Sequence, residues 1–157
     1  MYRGSDSGLM AVGIANIIGT YSAGQSAKFI ERRVGLSIIY FMRSFAFLGL
    51  LFLPLSPWLI IAVSALLGLF WLSTVPLTSS LVAQIFGPQH MATLFGIVFV
   101  SHQVGSFLGG WLGGVAFDRT GSYDLMWIIS ILLGVGAAVM HLPIGDRPVA
   151  RLSVKPA

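Results

Sequence analysis

The sequence predicts an all-α membrane protein, a bundle of about five antiparallel transmembrane helices. Three observations lead to this prediction. Of the 157 residues, 56% are hydrophobic and 9% are charged, whereas soluble domains carry about 25% charged residues. No Asp, Glu, Lys or Arg occurs in the 74 residues between Arg43 and Asp118. Short turn-forming segments divide the chain into apolar stretches of about 20 residues, the length that crosses a bilayer as a helix.

The first two spans are predicted at residues 9–27 and 34–53, and polar or helix-breaking residues mark their ends. The first stretch is uncharged, whereas the second contains Arg43 and stops at Pro54. Proline removes a backbone hydrogen bond and breaks a helix. The connection between the two spans carries one acidic residue and three basic ones, namely Glu31, Lys28, Arg32 and Arg33.

Three further spans are predicted at residues 58–86, 91–117 and 123–142. They are separated by the turn signals Gly87-Pro88 and Gly121-Ser122. A polar tail, residues 143–157, follows the last span and completes a single transmembrane domain. Because the connections are this short, successive helices are expected to lie antiparallel.

The distribution of Lys and Arg predicts the orientation of the helices. Six basic residues fall on the side of the first connection, namely Lys28, Arg32, Arg33, Arg147, Arg151 and Lys155. The opposite side holds Arg3 and Arg119. Cytoplasmic loops carry the excess of Lys and Arg, so we expect the N-terminus outside and the tail in the cytoplasm. An odd number of spans with an outside N-terminus also suggests that further helices precede this chain.

Several kinds of site lack support in the sequence. The net charge of +4 arises from basic residues in short connections beside apolar spans, so it indicates topology and not nucleic-acid binding. The absence of cysteine excludes disulfides and thiolate metal sites. There is also no clustered His and carboxylate set and no phosphate-binding Gly-Lys-Ser/Thr loop. We therefore expect no metal, no cofactor and no nucleic-acid partner.

The fourth span contains polar and small residues that are candidates for function. Gly105, Gly109 and Gly113 recur at every fourth position, and such spacing forms a flat stripe on which another helix packs closely. His102 and Gln103 precede the stripe by about one turn. One interpretation is an interhelical hydrogen bond. The other is that His102 lines a polar cavity and takes up a proton or a substrate anion, because histidine changes its charge near neutral pH.

The third span combines hydroxyl groups with a proline. Trp71, Thr74 and Thr78 are three and four residues apart, so they share one face of a helix. Pro76 removes a hydrogen bond inside the span, which predicts a kink that serves as a hinge. The threonines either satisfy the carbonyls that this kink releases or line a cavity.

Two polar residues remain in the first two spans. Arg43 follows Arg33 by ten residues, which places it roughly 15 Å into the membrane at 1.5 Å per residue. Its side chain has either a structural or gating role, with the long stem reaching toward the interface, or attracts an anionic substrate. Asn16 forms either a hydrogen bond between helices or a ligand contact.

Several motifs together resemble a known family. They are Gly24 with Lys28 and Arg32-Arg33, then Tyr40-Phe41-Met42-Arg43, the segment Trp71 to Thr78, Ser101-His102-Gln103-Val104-Gly105, and Gly113-Gly114-Val115-Ala116-Phe117-Asp118-Arg119-Thr120-Gly121-Ser122-Tyr123. This set is similar to the C-terminal half of a major facilitator superfamily transporter, about helices eight to twelve, and resembles its bacterial, monocarboxylate-transporter-like branch. The resemblance covers nearly the whole chain. One departure is Lys28, which stands where the family's loop motif usually has Asp.

The resemblance implies a secondary transporter in the bacterial plasma membrane that carries a small anionic organic solute, with His102 as its proton-coupled or hydrogen-bonding group. Such carriers bind their solute near the midplane and rock around it, so the missing N-terminal helices or a partner chain would be required. The first, third and fourth spans would be cavity-side helices, and the second and fifth would be outer supporting helices. The substrate-binding candidates are then His102, Gln103, Thr74, Thr78 and Asn16. The gating or structural candidates are Arg43, Gly24, Lys28, Arg32, Arg33, Pro76, Gly105, Gly109, Gly113 and Asp118.

Two other classes of protein were weighed. A small membrane scaffold or partner subunit would associate through the glycine stripe and transport nothing. An intramembrane serine protease needs a Gly-x-Ser-x-Gly turn, which Gly24-Gln25-Ser26 begins. Lys28 stands where that motif requires a small residue, so we expect no enzyme.

Overall fold

The computed structural model describes residues 3–54 and 56–149, and this part of the chain contains six α-helices and no strand. The helices are α1 (Arg3–Ser26), α2 (Arg32–Phe52), α3 (Pro57–Trp71), α4 (Thr74–Phe86), α5 (Pro88–Thr120) and α6 (Asp124–His141). Four segments are long and apolar enough to cross a membrane: α2, α3 with α4, α5, and α6. These observations confirm the all-α membrane bundle. Helix α1 is not among the four, so its role as a span stays a prediction.

The third predicted span is interrupted, and the interruption lies before Pro76. A continuous helix would need the missing N–H of Pro76 to bond the carbonyl of Leu72, and the proline ring would clash with that carbonyl. Instead α3 ends at Trp71, α4 begins at Thr74, and the Val75 amide donates to the Leu72 carbonyl at 3.0 Å. Pro76 thus occupies the first turn of α4, where its missing N–H costs nothing.

Helices α1 and α3 are in close contact at two glycines. A Cβ atom on Gly68 would lie 2.7 Å from both the Cα and the carbonyl oxygen of Val12, and one on Gly19 would overlap the carbonyl of Leu69. Only glycine allows two backbones to approach this closely. The glycines that the sequence marked on α5 have no such neighbour.

Helices α2 and α6 form the second close pair, held by hydroxyl groups. The Ser37 hydroxyl donates to the carbonyl of Ala138 at 2.8 Å, and Ser44 is 3.1 Å from the carbonyl of Tyr40 and 3.3 Å from that of Ile131. Each bond satisfies a hydroxyl that would otherwise be costly in a nonpolar interior. These contacts join α2 and α6, the first and last of the four membrane-length segments, which are far apart in sequence.

The buried core lies where α1, α2 and α4 meet. Its members are Ala23, Leu36, Ile39, Leu77 and Leu81. Helix α5 contributes no buried residue. The bundle is therefore centred on α2, with α5 lying at its edge against α4.

Candidate functional site

A cavity of about 370 Å³ opens between α2, the α3–α4 break and α5. Polar and aromatic groups from all of these elements line it, including Tyr40, Trp71, Thr74, Thr78, Ser101 and His102. The size lies within the range of roughly 300–1,000 Å³ that is usual for small-molecule sites. Three of the five substrate-binding candidates, Thr74, Thr78 and His102, thus meet at one cavity.

The break before α4 positions the cavity's threonines. Thr74 is the first residue of α4 and Thr78 lies one turn later, so both project from the same face. The hydroxyls of Thr74 and Thr78 make no hydrogen bond to other described residues, so they are available to a solute. This arrangement favours the cavity-lining interpretation over the repair of released carbonyls.

His102 presents an open imidazole to the cavity from α5. Its ring centroid lies 6.2 Å from that of Phe99, and its backbone carbonyl accepts a bond from Ser106 at 3.0 Å. Within residues 3–54 and 56–149 the ring nitrogens have no hydrogen-bond partner. The imidazole can therefore donate to or accept from a bound solute.

The Arg43 guanidinium lies behind the aromatic side of the cavity. Its Cζ atom is 5.6 Å from the ring centroid of Trp71 and 5.9 Å from that of Tyr40, within the range of a cation–π contact. No carboxylate of the described chain forms an ion pair with it. The sequence placed Arg43 on a supporting helix, and the structure brings it next to the cavity wall.

Tyr40 was missed as a lining residue by the sequence analysis. It lies three residues before Arg43, on the same face of α2, and its ring also stacks on His141 at 5.1 Å. Helix α2 had been expected to be a supporting helix, away from the cavity. The signal that could have identified Tyr40 was this spacing from a charged residue inside a span.

The other two substrate-binding candidates lie elsewhere. The Asn16 side-chain oxygen accepts a hydrogen bond from the Leu72 amide at 3.1 Å, so Asn16 stabilises the break between α3 and α4. Gln103 is exposed on α5 and is not among the cavity-lining residues. An added Cβ on Gly105, Gly109 or Gly113 would meet nothing within 4 Å.

The basic connection between α1 and α2 is tied to the ends of other helices. Arg32 donates to Ser80 at 3.0 Å and also to the side-chain oxygen of Gln84. Arg33 pairs with Glu31 at 2.6 Å. Lys28 is exposed and Gly24 has open space around it. Ser80 and Gln84, the partners of Arg32 on α4, were not identified from the sequence, because both are uncharged.

Arg33 and Gln84 also hold the segment that follows α6. Arg33 donates to the carbonyls of Leu142 and Ile144 at 3.2 and 3.3 Å, and the Gln84 amide donates to the carbonyl of Asp146 at 2.8 Å. This segment therefore crosses the ends of α2 and α4 at the base of the bundle.

The turn between α5 and α6 explains the motif that runs from Phe117 to Tyr123. Gly121 adopts φ 70°, and its amide donates to the carbonyl of Phe117 at 2.8 Å. Glycine is favoured at such a left-handed helix end. The rings of Phe117 and Tyr123 stack at 4.6 Å across the turn, while Asp118 is exposed.

Comparison with known proteins agrees with this architecture. The model of the Major Facilitator Superfamily matches residues 5–156. An uncharacterized MFS-type transporter of Bacillus subtilis (strain 168), YcxA, is 31% identical over 153 residues, which cover 92% of this chain and 37% of that protein. No solved structure matches the chain. The chain is therefore an integral membrane protein that belongs to the Major Facilitator Superfamily.

Proposed function

We propose that this chain is the C-terminal part of a secondary transporter, about helices eight to twelve, of the monocarboxylate-transporter-like branch. The transporter moves a small anionic organic solute by alternating access. The cavity that brings together Thr74, Thr78 and His102 carries this proposal, because it offers open polar groups inside a transmembrane bundle. Such groups are costly in a bilayer unless they face a partner or a polar cavity.

The charges near the cavity support an anionic solute. Arg43 lies behind two of the lining rings, and no Asp or Glu lines the cavity. A cationic solute would meet Arg43 without a compensating carboxylate from the described residues. An anion, by contrast, would be attracted, and the low dielectric of the site would strengthen that attraction.

His102 is proposed as the proton-coupled or hydrogen-bonding group. The test is uptake of ¹⁴C-labelled acetate, lactate and benzoate into proteoliposomes that contain the carrier expressed from its complete reading frame. His102→Ala and His102→Gln should slow uptake and flatten its pH dependence. The matched control is His90→Gln, because His90 lies at the start of α5 and outside the cavity. Unchanged rate and pH profile in both His102 variants would remove His102 from the mechanism.

The proposed orientation places the N-terminus outside and the tail in the cytoplasm of a bacterial plasma membrane. The basis of this orientation is the unequal distribution of Lys and Arg between the connections on the two sides. A second point of the proposal is that the remaining helices of the carrier precede this chain. An antibody to residues 143–157 tests both points. It should bind only after permeabilisation of the inner membrane, and it should detect a product several tens of kilodaltons heavier than 16.8 kDa. Binding to intact spheroplasts would overturn the orientation, and a product near 16.8 kDa would overturn the fragment interpretation.

A non-transporting scaffold or partner subunit is the second candidate function. The observation in its favour is α5, which has no buried residue and carries a glycine stripe open to another helix. Stable co-purification with one membrane protein, together with no saturable uptake of the three labelled acids, would favour it. Saturable uptake would exclude it.

A further inference from the structure

We propose that the cavity selects carboxylates that carry a flat, apolar ring, and that Arg43 is the positioning residue for this selectivity. The inference rests on the proposed function and names the substrate class of the same site. It is carried by the aromatic lining of the cavity and by the position of Arg43 behind it.

Ring side chains line the cavity from different helices. Tyr40 and Trp71 belong to α2 and α3, whereas Phe95, Phe99 and His102 belong to α5. The three rings of α5 follow one another along one face, with centroids 6.5 and 6.2 Å apart. Aromatic side chains bind a flat apolar body through offset or edge-to-face contacts. A two- or three-carbon acid would leave most of this lining uncovered.

Arg43 changes the electrostatics of the wall formed by Tyr40 and Trp71. The face of an aromatic ring is negative and repels an anion. The guanidinium, 5.6 Å from Trp71 and 5.9 Å from Tyr40, offsets this negative charge from behind. No carboxylate of the described residues pairs with Arg43 and neutralises it. The wall can therefore accept a ring that carries a carboxylate.

The polar groups of the cavity supply the contacts for the carboxylate itself. Thr74 and Thr78 have hydroxyls that no other described residue engages, and the His102 ring is open in the same way. The Ser101 hydroxyl differs, because it donates to the carbonyl of Ile97 at 3.0 Å. Two threonine hydroxyls and one imidazole are thus free to donate to a carboxylate, while the rings hold its body.

The experiment measures uptake of [¹⁴C]benzoate and [¹⁴C]acetate by the carrier expressed from its complete reading frame in proteoliposomes. Protein-free liposomes correct for passive entry. We expect saturable benzoate uptake with a half-saturation concentration at least tenfold below that of acetate. Phenylacetate should compete with benzoate, whereas benzylamine at equal concentration should not. Equal half-saturation for the two acids, or competition by benzylamine, would overturn the substrate class while leaving transport intact.

Variants at the aromatic wall separate positioning from folding. Arg43→Met should raise the half-saturation concentration for benzoate at least tenfold with little change in the maximal rate, and Arg43→Lys should restore most of the affinity. Trp71→Phe should keep the preference for benzoate, whereas Trp71→Leu should lose it. The matched control is Trp58→Leu, because Trp58 is 80% exposed on the same helix and outside the cavity. An equal loss in Arg43→Lys and Arg43→Met, or a loss only of maximal rate, would refute the assigned role.

A binding measurement distinguishes failure of this inference from failure of the proposed function. Trp71 becomes the sole tryptophan of this chain when the other three, Trp58, Trp111 and Trp127, are replaced by Phe, and every tryptophan in the rest of the carrier is replaced in the same way. Benzoate should quench its fluorescence saturably, and acetate should not at tenfold higher concentration. Quenching without uptake would support the substrate class and refute transport. Uptake of acetate without quenching by benzoate would support transport and refute the substrate class.

Discussion

Replacement of Gly68 by alanine tests whether the α1–α3 pair is held by direct contact between two backbones. The added methyl group would lie 2.7 Å from both the Cα and the carbonyl oxygen of Val12. Side-chain rotation cannot relieve this overlap, because both neighbouring atoms belong to the main chain. Gly68→Ala must therefore push the two helices apart or tilt one against the other.

The expected cost follows from the geometry of this contact. Carbon atoms pack best at about 3.5–4.0 Å, so the helices must separate by roughly 1 Å to accommodate the methyl group. A gap of that size forfeits a quarter to a half of the dispersion energy of each affected contact. Overpacking of well-packed interfaces costs about 1–3 kcal/mol. The higher helix propensity of alanine returns about 0.5–1 kcal/mol, so a net loss of about 0.5–2 kcal/mol is expected.

The assay is thermal unfolding of the purified protein in detergent, followed by circular dichroism. The matched control is Gly136→Ala on α6, where an added Cβ meets nothing within 4 Å and the substitution should be neutral or stabilising. Gly68→Ala should lower the unfolding midpoint clearly relative to this control. If the two variants unfold at the same temperature, the close backbone approach of α1 and α3 is wrong.

Substitutions at three further positions test other contacts by the same unfolding measurement. Gly121→Ala should destabilise by about 1–2 kcal/mol, because an L-residue is strained at its positive φ, and a midpoint no lower than that of Gly136→Ala would contradict the left-handed turn. Asn16→Leu leaves the Leu72 amide without its acceptor and should cost about 1–3 kcal/mol; full stability would refute this bond. Gln84→Leu removes both an acceptor of Arg32 and the donor to the Asp146 carbonyl, so it should lower the midpoint. Gln84→Glu keeps the acceptor but loses that donor, so its midpoint should lie between those of Gln84→Leu and the unchanged protein, and identical midpoints for all three would show that these contacts contribute nothing.

Most of the helical organisation could be predicted from the sequence. Local features of the sequence mark the helices, namely the apolar stretches, the polar connections between them, and Gly87 and Gly121 at the turns. Helices α2, α5 and α6 coincide with three of the predicted spans to within a few residues. The break before Pro76 was expected as a kink. It takes the form of two separate helices, and the side-chain oxygen of Asn16 on α1 accepts a hydrogen bond from the Leu72 amide inside the break, a contact between helices that the order of residues along the chain does not show.

The candidate site was only partly predictable. Thr74, Thr78 and His102 were identified because polar groups inside a span are costly and conspicuous. Tyr40 was not identified because an aromatic residue is ordinary in a membrane helix. For Asn16 the sequence left open a hydrogen bond between helices and a ligand contact, and its side-chain oxygen accepts a hydrogen bond from the Leu72 amide at the helix break. Spacing along one helix indicates which residues share a face. It does not indicate which other helix that face meets.

The sequence by itself determined that this chain is a helical membrane protein, because hydropathy and charge act residue by residue on the choice between lipid and water. Only the tertiary structure decided that Gly19 and Gly68 bring α1 and α3 into close contact, whereas Gly105, Gly109 and Gly113 of α5 meet none of the described helices. It also decided that Arg43 of α2 lies against Trp71 of α3. Both outcomes depend on which helices become neighbours, and that is set by the complementary shapes of whole helix surfaces.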